Sequence, residues 1–381
     1  MSGDESASRI VPTSRRTQVT NVLQQSLQPL GIFVLSRVAV YAIFAAVAMA
    51  TRRSIIQFLV GWNSRWYLMI AHYGYVHVVP PGHGNSAQCD LGFFPLIPLA
   101  IRGVHGLTGL GFTVSGLVTS SLFSLLGAVA VWWMVRDVDD AHAANRATAL
   151  IMLSPAAFVL SMVYSEGAII FFVSCSILAL RRQWWLTGGL FAALATVCDP
   201  VGVAAVAPCV IAALIAIRRA HQWRALVAPL VAPLGVLTFF GYLWAHTGSP
   251  FTWFHAQRVG WQRGHLGTGV VQSVLQTIAH GFANLNPPVK VASLVLVIGL
   301  LIVWFRNRPP HTWTAYVVGV LVLGSLSPIV GVSPRLLLRA FPLFAIAGAR
   351  LPRQWFEVML GLSIVSMAAL AVVSTSNFWT P

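Results

Sequence analysis

The chain has 381 residues, 57% of them hydrophobic and only 9% charged, with a formal net charge of +15. A soluble globular chain carries roughly 25% charged residues, so this one lacks the groups to cover a water-facing surface, and the bilayer is the solvent that fits it. The positive charge does not point to nucleic acid, because the arginines lie scattered between apolar runs and form no basic stripe.

Residues 1–29 are polar and contain Arg9, Arg15 and Arg16. This is longer than the basic start of a secretory signal, and the apolar run behind it is about 20 residues, longer than a signal's core. We read a cytoplasmic tail followed by an uncleaved first span, with residues 30–381 forming a single transmembrane domain. A spanning helix needs roughly 20 mostly apolar residues. Such runs lie near 30–50, 112–135, 145–162, 167–180, 184–199, 201–217, 225–246, 289–305, 312–331, 336–349 and 355–374, which predicts an all-α bundle of about eleven spans. Positively charged loops stay in the cytoplasm. With the N-terminus inside, every short inner loop (136–146, 181–182, 218–224, 306–311, 350–353) carries at least two arginines. That assignment treats 92–108, which holds two prolines, an arginine and a histidine, as a helix lying at the interface.

Two outer segments are then long. Residues 51–111 contain Trp62, Trp66, Tyr67, Tyr73 and Tyr75, side chains that favour the headgroup level. Residues 247–288 contain the run SPFTWFHAQRVGWQRG. No internal repeat or low-complexity stretch is evident. Four cysteines (Cys89, Cys175, Cys198, Cys209) without CxxC spacing indicate neither a disulfide framework nor a metal site. No HxH or HxxxH pair occurs either, so a divalent cation is left open without a ligand motif.

Nine carboxylates exist in all. Asp4 and Glu5 lie in the tail, and Asp137, Asp139 and Asp140 share an inner loop with arginines. Glu357 sits four residues after Arg353 as a helical pair. Asp90, Glu166 and Asp199 remain, all at the outer face of this topology. A carboxylate at mid-bilayer costs about 2.5–3.5 kcal/mol, so acids at span ends have partners or a purpose. Glu166 reads as a helix cap or as a functional group. Asp199, before Pro200, reads as a cap or a ligand-facing acid, and Asp90 as a solvated loop residue or a site residue. Arg258 and Arg263 flank Trp261, and Arg335 and Arg339 open the tenth span. A guanidinium grips phosphate oxygens bidentately, which suits Arg258 and Arg335 to a lipid phosphate. Arg339 reads instead as reaching for headgroups. Arg37, inside the first span, needs a carbonyl or carboxylate within the bundle.

Seven segments then stand in a familiar order: LSRVAVYAIFA around Arg37, WNSRWYLMIAHYGY at 62–75, GFFPLIPLAIR at 92–102, LSPAAFVLSMVYSEG at 153–167, CDPVG at 198–202, GSPFTWFHAQRVGWQRG at 248–264 and SPRLLLRAFPLF at 333–344. Together they resemble the PIG-V-like mannosyltransferases of the GT-C glycosyltransferase superfamily. The resemblance implies a multi-pass GT-C-like fold in the cell membrane with its active site at the extracytoplasmic face. It implies a polyprenyl-phosphate sugar donor, with mannose as the sugar and a lipid, glycan or protein acceptor. It also implies inverting transfer aided by an outer-loop carboxylate, with positive charge for the leaving phosphate. On that basis Glu166, Asp90 and Asn63 are the expected catalytic positions. Trp62, Trp66, Tyr67, Asp199, Gln257, Arg258 and Arg335 are the expected substrate-binding ones. Two positions depart from the family pattern. Asn63 stands where an acid follows Trp in WDxxWYxxIAxxGY, and Asp199 stands where relatives carry Arg before Pro. A carboxamide cannot take a proton at neutral pH. Either another acid serves as base, or the protein is a catalytically degenerate glycolipid binder. A lipid or glycan transporter is the third alternative, and it would need polar residues through the full bilayer depth.

Overall fold

The computed structural model describes residues 15–261, 269–281, 284–326, 332–376 and 379. Every regular element among them is helical. That follows from the composition, since in hydrocarbon each backbone N–H and C=O must be bonded within its own segment. In chain order the α-helices are α1 (Arg15–Thr51), α2 (Ile55–Leu59), α3 (Asn63–Tyr73), α4 (Leu96–Thr108), α5 (Phe112–Arg136), α6 (Ala141–Met152), α7 (Glu166–Arg181), α8 (Trp185–Thr196) and α9 (Val206–Ala220). They continue with α10 (Val227–Val231), α11 (Leu234–Thr247), α12 (Thr252–Gly260), α13 (Gly269–His280), α14 (Asn286–Asn307), α15 (His311–Leu326), α16 (Pro334–Arg339), α17 (Pro342–Arg350) and α18 (Arg353–Ser374).

Six helical stretches are long and apolar enough to cross a membrane: Leu27–Thr51, Phe112–Arg136, Pro200–Ala220, Trp223–Thr247, Asn286–Asn307 and Arg353–Ser374. The shortest has 21 residues, about 32 Å at 1.5 Å per residue, against a hydrocarbon core of about 30 Å. The remaining predicted spans are shorter helices. Residues 145–162 are mostly the end of α6 and a 3₁₀ turn at Ala157–Ser161, and 336–349 divide into α16 and α17 where the chain turns at Ala340 and Phe341. These pieces are wrapped by protein, so they need not match bilayer thickness. The stretch read as interfacial becomes α4, 13 residues and roughly 20 Å long, too short to span.

Small residues bring the central helices together, as expected where lipid gives no hydrophobic drive between helices. A Cβ on Gly167 of α7 would lie 2.8 Å from the Ser124 backbone nitrogen of α5, and one on Gly348 of α17 would lie 2.6 Å from Ala147 Cα of α6. Arg37, buried in α1, ties that helix to the loop after α6. It donates to the carbonyls of Ala157 and Met152 at 2.8 Å each and to Ser161 Oγ at 2.9 Å. The carbonyl partners expected of it are thus present.

The bundle has two chemically different ends. At one, Arg181 pairs with Asp137 at 2.6 Å, Arg350 with Asp139 at 2.9 Å, and Gln222 donates to Gln183 at 3.4 Å. At the other lie Glu166, Asp199 and Arg335. Helix α7 joins the two, running 16 residues, about 24 Å, from Glu166 to Arg181.

Candidate functional site

The site is assembled where helices are interrupted. Pro200 ends α8 and starts a 3₁₀ turn over Pro200–Ala205, which Asp199 caps by accepting from Val201 N at 2.9 Å. Ser333 caps α16 by accepting from Leu336 N, and Pro334 occupies its first turn, where a missing N–H costs nothing. This short helix sets Arg335 and Arg339 one turn apart on one face. Both meet Glu166, the first residue of α7.

Arg335 donates to Glu166 Oε1 through Nη2 at 2.6 Å and through Nε at 2.7 Å. Arg339 Nη2 lies 3.0 Å from the same oxygen and 2.7 Å from Asp199 Oδ2, which also accepts from Ser165 Oγ at 3.0 Å. Glu166 is fully buried and Arg339 is 6% exposed. The expectation that Arg339 reaches for headgroups is therefore corrected: the side chain turns into the protein, where Glu166 and Asp199 both pair with it. The Arg335 guanidinium stacks 4.5 Å from the Tyr164 ring centroid, and Tyr164 Oη accepts from Asn63 N at 3.4 Å. Burial pushes the Tyr164 phenol up to about 12, against the neighbouring Arg335, so it stays protonated.

Above this cluster opens a cavity of about 1320 Å³. Its lining includes seven of the ten expected positions: Trp62, Asn63, Trp66, Tyr67, Asp199, Gln257 and Arg335. Trp66 stacks on Phe93 with centroids 5.7 Å apart and meets Trp261 edge-on at 6.0 Å. Helix α12 is fastened over the cavity by Gly92, whose carbonyl accepts from Gln257 Nε2 at 2.8 Å and Trp253 Nε1 at 3.1 Å. Glu166 lies behind the lining, in contact with Arg335. Asp90 is buried to the side, where both carboxylate oxygens accept from Val76 N at 3.2 Å, and it does not line the cavity. Burial raises its pKa despite that bond. Arg258 is exposed on α12 and also lies outside the lining. Arg263 and His265 fall outside the described residues. No three His, Cys, Asp or Glu side chains gather as a metal site among the described residues.

Sequence reasoning missed three cations of the lining, Arg65, Lys290 and Arg339. Arg65 was visible inside the WNSRWY segment. Lys290, the one lysine of the chain, sits at the start of a spanning helix, an unusual place that signals a purpose. Arg339 carried no signal of its own, since its acids come from 140 and 173 residues earlier in the chain.

The sequence model of the family described as mannosyltransferase (PIG-V) matches residues 19–240. No curated protein matches the chain. Among solved structures, the fold is similar to ArnT from Cupriavidus metallidurans. The apo form aligns with a TM-score of 0.52 at 19% identity, over 88% of this chain and 65% of that one. The form bound to undecaprenyl phosphate aligns with a TM-score of 0.56 at 16% identity, over 91% and 65%. The chain thus spans about 65% of the length of those relatives.

Proposed function

The chain belongs to the mannosyltransferase (PIG-V) family, and from that premise we propose that it transfers mannose from a polyprenyl-phosphate donor, in a cavity on the extracytoplasmic side of the membrane. The observation that carries this reading is Arg335. It lines an aromatic-walled cavity at the end of the bundle opposite the arginine-rich loops, and a buried carboxylate fixes its orientation. As the sugar leaves, the lipid phosphate gains a second negative charge. A guanidinium already in place stabilises that charge without reorganising. Lys290 faces the same space and adds a second cation.

Glu166 in this reading is a positioning residue. Its oxygen touches Arg335 and Arg339 and not the cavity, so it aims Arg335 at the phosphate instead of moving protons. Trp62, Trp66 and Tyr67 offer apolar faces to the sugar, and Gln257 and Asn63 offer hydrogen bonds to its hydroxyls. The undecaprenyl phosphate carried by one ArnT structure supports a lipid-phosphate ligand for a fold of this kind. The cytoplasmic N-terminus, the cell membrane and a single domain over 30–381 are parts of the same proposal.

The test is transfer of labelled mannose from polyprenyl-phosphate mannose by the purified full chain. Arg335→Ala should lower transfer by about 10²-fold or more, as loss of one charge-stabilising donor does in other enzymes, and Arg335→Lys should recover part of it. If Arg335→Ala and Glu166→Gln both transfer like wild type, the assignment fails. Asn63 favours a second reading, a glycolipid binder that has lost its base. In that case the wild type binds the labelled donor and transfers nothing, whereas Asn63→Asp transfers.

A further inference from the structure

Trp62, the residue before Asn63, has φ 55° and ψ −124°, a backbone conformation that a bulky side chain rarely adopts. Strain of this kind persists only where the surroundings fix it, and it collects at ligand clamps. One fixing contact comes from a distant part of the chain. The Trp62 indole Nε1 donates to the Ser374 carbonyl at 2.9 Å, across 312 residues, and Ser374 is the last residue of α18. Beyond it, Trp379 lines the same cavity as Trp62 and Asn63. Trp379 is 4% exposed, and its ring centroid lies 6.2 Å from that of Phe158, which is fully buried. The indole is thus held from behind, and its remaining surface is cavity wall.

Phe158 and Tyr164 belong to one short stretch, 158–164, that is buried throughout. Three parts of the cavity rest on it: Trp379 on Phe158, the Arg335 guanidinium on the Tyr164 ring at 4.5 Å, and Asn63 N on Tyr164 Oη at 3.4 Å. In a polyprenyl-phosphate sugar the anomeric carbon is bonded to a phosphate oxygen, so a wall beside the cation that holds the phosphate meets the sugar. The polyprenyl chain needs apolar walls instead, and Val236 and Phe240 of α11 and Leu323 and Leu326 of α15 supply them. A pyranose presents a patch of C–H groups, and an indole offers that patch a large, rigid apolar surface.

We infer that Trp379 is a specificity-determining residue: it packs against the donor sugar and limits the size of the sugar that fits. The inference rests on the glycosyltransferase reading above, since a lipid phosphate carrying a sugar is its premise. The family match ends at residue 240 and assigns Trp379 no role. The sugar site then draws its walls from two distant parts of the chain, Trp62 before α3 and Trp379 after α18. The bond from Trp62 to Ser374 keeps the two in register.

Equilibrium binding without an acceptor tests this, because it does not depend on transfer. The purified full chain is titrated with labelled polyprenyl phosphate and with labelled polyprenyl-phosphate mannose. Trp379→Ala should weaken the mannose donor about 10-fold, the size of one aromatic contact, and leave polyprenyl phosphate as in wild type. Arg335→Ala should weaken both, because its partner is the phosphate. Trp379→Phe, with a smaller ring, should lose several-fold on the mannose donor alone, and it carries the test where the alanine variant does not fold. Polyprenyl-phosphate N-acetylglucosamine, whose sugar is bulkier, reads the size limit. Its affinity relative to the mannose donor should rise about 10-fold in Trp379→Ala, as relief of one crowded group does in other pockets. An equal change in polyprenyl phosphate and the mannose donor, which loss of packing alone would produce, overturns the inference. No change in either, or an unchanged preference between the two sugars, overturns it as well. Each of these results leaves the glycosyltransferase reading standing where Arg335→Ala weakens both ligands. A wild type that binds neither ligand removes both.

Discussion

Arg339 is held between two acids, and its contribution to stability lies largely in what its loss would leave behind. A buried ion pair gains little over a well-packed apolar pair. Removing one member, however, strands the other in a low-dielectric interior and costs about 3–5 kcal/mol. Arg339→Leu should accordingly cause a large drop in the thermal unfolding midpoint of the detergent-solubilised protein. Arg353→Ala, which breaks the exposed pair with Glu357 at 2.7 Å, should leave the midpoint in place. Asp90 behaves in the opposite sense. Burial raises its pKa, so the fold prefers the protonated form. Its contribution is fully present below the ordinary carboxylate range and is lost as pH rises through the raised value. Asp90→Asn keeps an oxygen for Val76 N and cannot ionise. The variant should therefore match wild type in acid and unfold at a higher temperature at neutral pH. A midpoint difference that does not change with pH would exclude this account.

Helix α12 owes its place over the cavity to the backbone of one glycine. A Cβ on Gly92 would lie 2.7 Å from Trp261 Cζ3 and 3.2 Å from Gln257 Nε2, the side chain that bonds its carbonyl. Gly92→Ala should therefore displace the aromatic wall without unfolding the bundle. It should show as a raised KM for the labelled donor with an unchanged unfolding midpoint. Gly167 has no such latitude, because a Cβ there meets the backbone of α5 at Ser124. Elements of this kind were legible in part. Capping by Asp199 and the break at Pro200 follow from local chemistry and are present. The division of 336–349 into α16 and α17 was not legible, since its apolar run is continuous and only the surrounding helices make a broken helix tolerable.

Across the whole molecule, the arginine-rich loops and the cavity occupy opposite ends. Asp137–Arg181 and Asp139–Arg350 mark the first end, and Glu166–Arg335 marks the second. Under the proposed orientation, Ser86→Cys should react with an impermeant maleimide on intact cells, and Arg182→Cys only after permeabilisation. Both positions are exposed. Labelling of the two from the same side would refute the arrangement. Composition alone determined that the chain is a helical membrane bundle, because hydrocarbon admits only internally bonded backbone, and loop charge set Asp90, Glu166 and Asp199 apart from the acids that share the arginine-rich loops. Only the tertiary structure decided which of those acids face open space. Glu166 and Asp90 turn inward, Arg258 turns outward, and Lys290 and Arg339 join the site, because burial and ion pairing are set by residues up to 173 positions apart, whose meeting no local pattern encodes.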